Sequence, residues 1–220
     1  ILWVGTGEAN NRNSIAWGDG IYKSTDGGKT FENMGLRTTH QIARIVTHPT
    51  NPDVVYVAAI GNLWGSTGDR GVFKTIDGGK SWVKLAGGLP NDPTSGATEL
   101  VMDPSNPNVM YTAFYQRLRL PWRFNSGGAN GGIFKSTDGG KSWKKLTAGL
   151  PAGPTGRIGL DVYRKNPKTV LAIVEAEPGS EDLSKPGAGI YRSEDGGTTW
   201  KYLNRYNNRP FYYSQIRVNP

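Results

Sequence analysis

Ser24-Thr25-Asp26-Gly27-Gly28-Lys29-Thr30-Phe31 recurs without a gap as Thr75-Ile76-Asp77-Gly78-Gly79-Lys80-Ser81-Trp82, as Ser136-Thr137-Asp138-Gly139-Gly140-Lys141-Ser142-Trp143 and as Ser193-Glu194-Asp195-Gly196-Gly197-Thr198-Thr199-Trp200. Each copy has the chemistry of a turn closed on itself. The aspartate carboxylate accepts hydrogen bonds from backbone N–H groups just ahead of it. The Gly-Gly pair supplies backbone angles that a side chain would forbid. The Ser or Thr two residues earlier satisfies another turn group, and the closing aromatic ring is expected to drop between neighbouring sheets. Asp26, Asp77, Asp138 and Asp195 are therefore read as structural. An apolar strand leads into every copy, as in Gly20-Ile21-Tyr22-Lys23 and Gly71-Val72-Phe73-Lys74.

The aspartates are spaced by 51, 61 and 57 residues. That is too long for one hairpin and suits a unit of four short strands, near the roughly 40–50 residues of a propeller blade. A second repeat interleaves with the first. His48-Pro49-Thr50-Asn51-Pro52-Asp53-Val54-Val55-Tyr56-Val57 matches Asp103-Pro104-Ser105-Asn106-Pro107-Asn108-Val109-Met110-Tyr111-Thr112, and Arg164-Lys165-Asn166-Pro167 opens a looser copy. Asn-Pro marks a turn and the Val/Tyr run a strand. The expected fold is all-β: a β-propeller of four-stranded antiparallel blades at 41–86, 97–146 and 157–203, with an incomplete blade at 1–35 and the first strand of another at 214–220. Propellers close only after about four blades or more. The chain is thus expected to be part of a larger propeller of about seven or more blades, completed by the rest of the chain or by neighbouring subunits.

Composition agrees. There are 31 Gly, 14 Pro, 7 Trp, 10 Tyr and 6 Phe against 3 Met, as short strands and tight turns require. No window holds a helical apolar stripe or a membrane-length apolar run. The absence of cysteine decides no compartment. A net charge of +8 raises the question of nucleic acid, but many lysines flank the recurring turn (Lys23, Lys29, Lys74, Lys80, Lys84, Lys135, Lys141, Lys144, Lys145, Lys201). Spread over every repeat, they read as solvated rims and protected sheet edges, not a nucleic-acid stripe.

These boxes resemble the Asp-box, or BNR, repeats of bacterial sialidases, of xyloglucan-cleaving glycoside hydrolases and of sortilin-type Vps10 domains. The stretches Trp3-Val4-Gly5-Thr6-Gly7-Glu8-Ala9-Asn10-Asn11-Arg12-Asn13-Ser14 and Asn51-Pro52-Asp53-Val54-Val55-Tyr56-Val57-Ala58-Ala59 are similar to large exported bacterial BNR-repeat proteins of sortilin-like or glycosyl-hydrolase-like type. The resemblance implies the propeller fold and a secreted, cell-surface or periplasmic location. It departs from the sialidases, whose Arg-Ile-Pro segment is missing; Arg119-Leu120-Pro121 lies between the second and third boxes.

In a four-stranded meander, the turns joining strands one to two and three to four share one face. Here those are the Asn-Pro turns and the boxes. The opposite face carries the loops from strand two to strand three, whose lengths vary, and function concentrates on variable loops over a rigid scaffold. Trp17 lies in the first loop with Arg12, and Trp64 in the second with Asp69 and Arg70. The third, Tyr115 to Asn125, holds Arg117, Arg119, Trp122 and Arg123 beside Phe124. Arginines among aromatic rings suit a sugar ring, an anionic group or a protein hot spot, while the plainer reading has Trp122 and Phe124 pinning a long loop. The fourth, Glu175 to Asp182, is acidic and reads as solvated. Arg44, Glu99, Arg157, Asp161 and Arg217 are candidates to line the central channel. His40 and His48 have no ligand partner at metal spacing, so no metal or cofactor is expected. The order of expectation is an exported binding module for a protein, peptide or glycan, then a glycoside hydrolase, then a structural subunit of a surface assembly.

Overall fold

Four antiparallel sheets follow one another along the chain in the computed structural model, which describes residues 1–12, 14–66, 69–177 and 184–219. The first contains β1 (Leu2–Gly5), β2 (Ile21–Ser24) and β3 (Glu32–Asn33). The second contains β4 (Ile42–Thr47), β5 (Val55–Ala59), β6 (Gly71–Thr75) and β7 (Val83–Leu85). The third has β8 (Ser95–Met102), β9 (Met110–Leu120), β10 (Arg123–Ser126), β11 (Gly132–Ser136) and β12 (Lys144–Lys145). The fourth has β13 (Thr155–Val162), β14 (Val170–Ala176), β15 (Gly189–Ser193) and β16 (Lys201–Asn204). In each sheet a strand pairs with its predecessor, except that β9 carries β8 and β11 along its first half and β10 along its second. This is the meander of β-propeller blades. A 3-10 turn (Arg37–Thr39) and a helix α1 (Pro210–Tyr213) are the helical pieces among the described residues.

The second strand of a blade is covered on both faces, so β5 is buried at every position from Val55 to Ala59. The apolar core consists accordingly of three clusters, each between consecutive sheets. Ile21 meets Val57 and Phe73, Tyr56 and Val72 meet Leu100 and Phe114, and Tyr111 and Ile133 meet Ile158 and Leu160. The closing aromatics join them unequally. Trp143 and Trp200 are buried, and Trp82 is half-buried, its Nε1 donating to Met34 O at 2.8 Å. Phe31 is exposed, with no earlier sheet of this chain beside it.

Every box closes as its chemistry requires. In the second, Ser81 N and Ser81 Oγ donate to the two oxygens of Asp77, while Thr75 Oγ1 donates to Asp77 and accepts from Gly79 N. The first glycine N–H also reaches the preceding Asn-Pro turn, Gly78 N to Asp53 O at 3.0 Å, Gly139 N to Asn108 O at 3.1 Å and Gly196 N to Lys168 O at 2.8 Å. Boxes and Asn-Pro turns therefore do share one face.

The same glycines join blade to blade. Tyr56 Oη donates to Gly139 O at 3.0 Å and Lys74 Nζ to the same oxygen at 3.2 Å. Tyr111 Oη and Lys135 Nζ repeat this on Gly196 O at 2.9 and 2.6 Å, and Lys23 Nζ holds Gly78 O at 2.8 Å with its ammonium over Trp3. The second glycine receives the ring: a Cβ on Gly79, where φ is +96°, would fall 2.6 Å from Trp3. Gly-Gly thus serves the turn and the approach of the neighbouring sheet together. Lys23, Lys74 and Lys135 are correspondingly latches between sheets, not solvated rims as the sequence suggested.

The strand expected at 214–220 is not formed over its described residues, 214–219. After α1, residues 214–219 run without strand pairing, and Val218 N donates to the Asp161 carboxylate at 2.8 Å instead of to a ladder carbonyl.

Two consequences are measurable. Tyr111→Phe removes one buried inter-sheet hydrogen bond and should cost about 1 kcal/mol in denaturant unfolding, whereas Tyr22→Phe, on a half-exposed ring, should cost less. The box carboxylates also make stability depend on acid. Hydrogen bonds from Thr30, Ser81 and Ser142 hold Asp26, Asp77 and Asp138 well below the usual carboxylate range, and Thr199 holds Asp195 at about 2. A depressed folded-state value means the stabilisation is complete above the unfolded value of ~3.9 and is lost as pH falls towards the folded one. Thermal melts between pH 5 and pH 2 should therefore slope downward, and Asp77→Asn should flatten the slope. A profile identical to that of the wild type would contradict this role.

Candidate functional site on the loop face

Period two continues through β9 past the point where a loop was expected. Leu120 pairs with Arg123, Phe124 with Arg119 and Ser126 with Arg117, so Tyr115–Asn125 is a protruding hairpin turning at Pro121-Trp122. Pro fixes φ for the first turn position, which suits so tight a reversal. The hairpin divides the predicted residues by face. Trp122 stands 81% exposed at the tip with Arg123 exposed beside it. Arg119 is half-buried, its guanidinium 5.3 Å from the centre of the Phe124 ring and its N–H donating to Leu63 O at 2.9 Å. Phe124 packs edge-on to Phe211 of α1 at 5.4 Å. Phe124 therefore pins the hairpin and Trp122 does not. Trp17 is 62% exposed and meets His40 edge-on, and Trp64 is 38% exposed on its own turn. Beside the hairpin, Thr94, Gln116, Arg123, Asn125 and Ser126 help to line a polar cleft of 390 Å³.

Arg117 corrects the sequence reading. It is completely buried and cannot meet a ligand at the surface. Its guanidinium donates to Asn11 Oδ1, to Gln41 Oε1 at 2.5 Å and to Gly61 O at 3.2 Å. Burial drives its pKa down to about 9. The Asn11 amide, oriented by that bond, donates to Tyr115 Oη at 3.1 Å; Tyr115 Oη and Ser126 Oγ lie 2.7 Å apart, and Ser126 Oγ donates to Glu175 Oε1 at 2.6 Å. Glu175 Oε2 accepts from Arg157 N at 2.7 Å, and Arg157 Nη2 donates back to Asn10 Oδ1 at 2.6 Å. Burial pushes Glu175 up, against these hydrogen bonds, and pushes Tyr115 up as well. Residues 10 and 11 of the first sheet's loop are thereby fastened to the third and fourth sheets, and loops of all four sheets form one body.

The acidic loop splits likewise: Glu175 belongs to β14 and to this network, and residues 178–183 lie outside the described residues. Three of the predicted channel residues come together, and a fourth holds the backbone beside one of them. Glu99, almost fully buried, is held by Arg44 at 2.5 Å and Arg217 at 3.4 Å, and Asp161 accepts from Val218 N. Asn10, Asn11 and Gln41 were not singled out by sequence, because their partners lie up to 147 residues away. One signal was available: in a strand running past Phe114, Tyr115 and Arg117 share a face.

Residues 19–147 match the family model Sortilin-Vps10 (sortilin, neurotensin receptor 3). The chain belongs to the Sortilin-Vps10 family. It is also similar to a probable oligoxyloglucan-reducing end-specific xyloglucanase of Neosartorya fischeri, 25% identical over 240 residues that cover 95% of this chain and 26% of the relative. A xyloglucanase of a Paenibacillus species is 26% identical over 177 residues, covering 71% of this chain and 15% of the relative. The chain thus spans about a quarter or less of the curated relatives it matches. Among solved structures, a GH74 enzyme of Niastella koreensis superposes with a TM-score of 0.62 at 22% identity, over 91% of this chain and 27% of that one. The GH74 xyloglucanase of Xanthomonas campestris gives 0.60 at 18% identity, over 90% and 27%. Both likenesses are of fold.

The division of the hairpin predicts two opposite outcomes. Trp122→Ala should change stability by no more than about 0.5 kcal/mol, as at exposed sites generally. Arg117→Met strands the Asn11 and Gln41 acceptors and should cost on the order of 1–3 kcal/mol for each group left unsatisfied. Urea unfolding of the two variants compares them directly; equal effects would contradict the assignment.

Proposed function

We propose that this chain forms part of the propeller of an exported glycoside hydrolase acting on a xyloglucan-type glucan, and that its loop face binds the polysaccharide. The observation that carries the proposal is the similarity to proteins named as xyloglucanases over 71–95% of the chain. It favours hydrolysis over the pure binding module that the repeats alone suggested. The geometry supports a role in holding substrate. A flat indole on a rigid hairpin tip, with Arg119 and Arg123 on the same hairpin and a polar cleft alongside, offers a stacking surface and hydrogen-bond partners to a sugar ring. Glu99 and Glu175 are tied to arginine or backbone and hydroxyl donors. An inverting glycosidase needs one protonated and one ionised carboxyl roughly 6.5–9.5 Å apart across the sugar. In this reading Trp122, Arg119 and Arg123 position substrate, Trp17 and Trp64 extend the surface, and the acid–base pair comes from other residues of the full protein.

A non-catalytic binding role is the second reading, favoured by the Sortilin-Vps10 match itself. The full-length protein decides between them. Incubated with xyloglucan, it should release reducing ends, and Trp122→Ala combined with Arg123→Ala, both at exposed positions, should weaken polysaccharide binding about tenfold or more, equivalent to ~1.4 kcal/mol, with little change in Tm. Folded protein that binds xyloglucan but releases nothing supports the second reading; protein that neither binds nor cleaves it overturns the proposal.

A further inference from the structure

Arg117 is a full positive charge at 0% exposure whose acceptors, Asn11 Oδ1, Gln41 Oε1 and Gly61 O, are all neutral. Its charged surroundings make this worse. Arg70 and Arg157 both act on it as cations, and the nearby Tyr115 keeps its proton because burial raises it. The carboxylates of the region are engaged elsewhere: Glu175 receives Ser126 Oγ and Arg157 N, and Asp92 receives Thr94 N and Oγ1 and Asn130 Nδ2. A buried charge ordinarily has a counter-charge.

Two further atoms indicate where the counter-charge sits. Arg117 Nε and Gln41 Nε2 are buried donors without an acceptor among the described residues, and Gln41, like Arg117, is at 0% exposure. The two side chains are already joined through Arg117 Nη2 and Gln41 Oε1 at 2.5 Å, so the spare donors belong to one hydrogen-bonded pair. Rotating the Gln41 amide would set donor against donor and satisfies neither. What is wanted is a small acceptor carrying negative charge. The 390 Å³ cleft beside the hairpin has Arg117, though not Gln41, in its lining.

We propose that Arg117 Nε and Gln41 Nε2 bind a halide-sized inorganic anion that neutralises the buried guanidinium and completes the joint between the first, second and third sheets. The site lies beneath the cleft that adjoins the proposed glycan surface, and it does not depend on the hydrolase reading.

The test uses the full chain. Melting curves are recorded in sodium bromide and in sodium methanesulfonate at one ionic strength, the latter anion being too bulky for the site. Tm should rise with bromide and keep rising with the logarithm of its concentration above Kd, as expected for a ligand of the folded state. Gln41→Glu builds a carboxylate in beside Arg117, so this variant should melt above the wild type without halide and show no bromide response. Bromide-soaked crystals of the wild type should give an anomalous peak within hydrogen-bond reach of both donors. That map also decides the matter if Gln41→Glu fails to fold. Wild-type melts that are equal in the two salts, or a map with bromide on the surface alone, overturn the proposal.

Discussion

A single backbone carbonyl, repeated from sheet to sheet, organises this molecule. The first glycine of the second, third and fourth Asp boxes offers its C=O to the preceding sheet, which meets that oxygen with an ammonium and, in two of three cases, a tyrosine hydroxyl. The lysines involved also lie over the aromatic rings of their own sheets. The turn that ends one blade is thus the docking point for the blade before it. Both glycines have positive φ in all four boxes, and a side chain at the second would also strike Trp3 at Gly79 and crowd Leu146 and Tyr111 at Gly197. Because these latches all lie on the box face, the relation between neighbouring sheets is fixed there and the opposite face is left to vary.

The loop face uses that allowance. Its polar network is built from amides, hydroxyls, one carboxylate and two deeply buried guanidiniums, and every sheet contributes to it. Networks of this kind are strong when each group is satisfied and costly when one is not. Exposed groups lie around it: Trp122 and Arg123 on the hairpin tip, and Trp17 and Trp64 on their own loops. The contrast suits a binding surface, in which a rigid base holds a few aromatic side chains in fixed positions.

The boxes were legible in the sequence because their hydrogen bonds close within four residues, so Asp26, Asp77, Asp138 and Asp195 carried their whole explanation locally. Blade spacing was legible for the same reason. Arg117 was not. Its neighbours Tyr115, Trp122 and Phe124 suggested one exposed aromatic-basic loop, whereas strand alternation carries Arg117 inward, Trp122 outward and Phe124 onto α1. The lysines before the first three boxes were misread because their partners lie 55 to 65 residues on, in the next repeat. Asn10 and Asn11 had no local signal at all.

The reach of Asn10 and Asn11 has a consequence for how the molecule is assembled. Box-face latches join consecutive sheets and form as soon as two neighbours dock. The bonds from Asn11 to Arg117 and from Asn10 to Arg157 join residues 106 and 147 positions apart, and they require three or four sheets in place. Loop-closure entropy makes such contacts late events in folding. A nascent or partly unfolded chain can therefore possess correct turns and correct blades while its loop face does not yet exist, and the appearance of that face marks the completion of the arc.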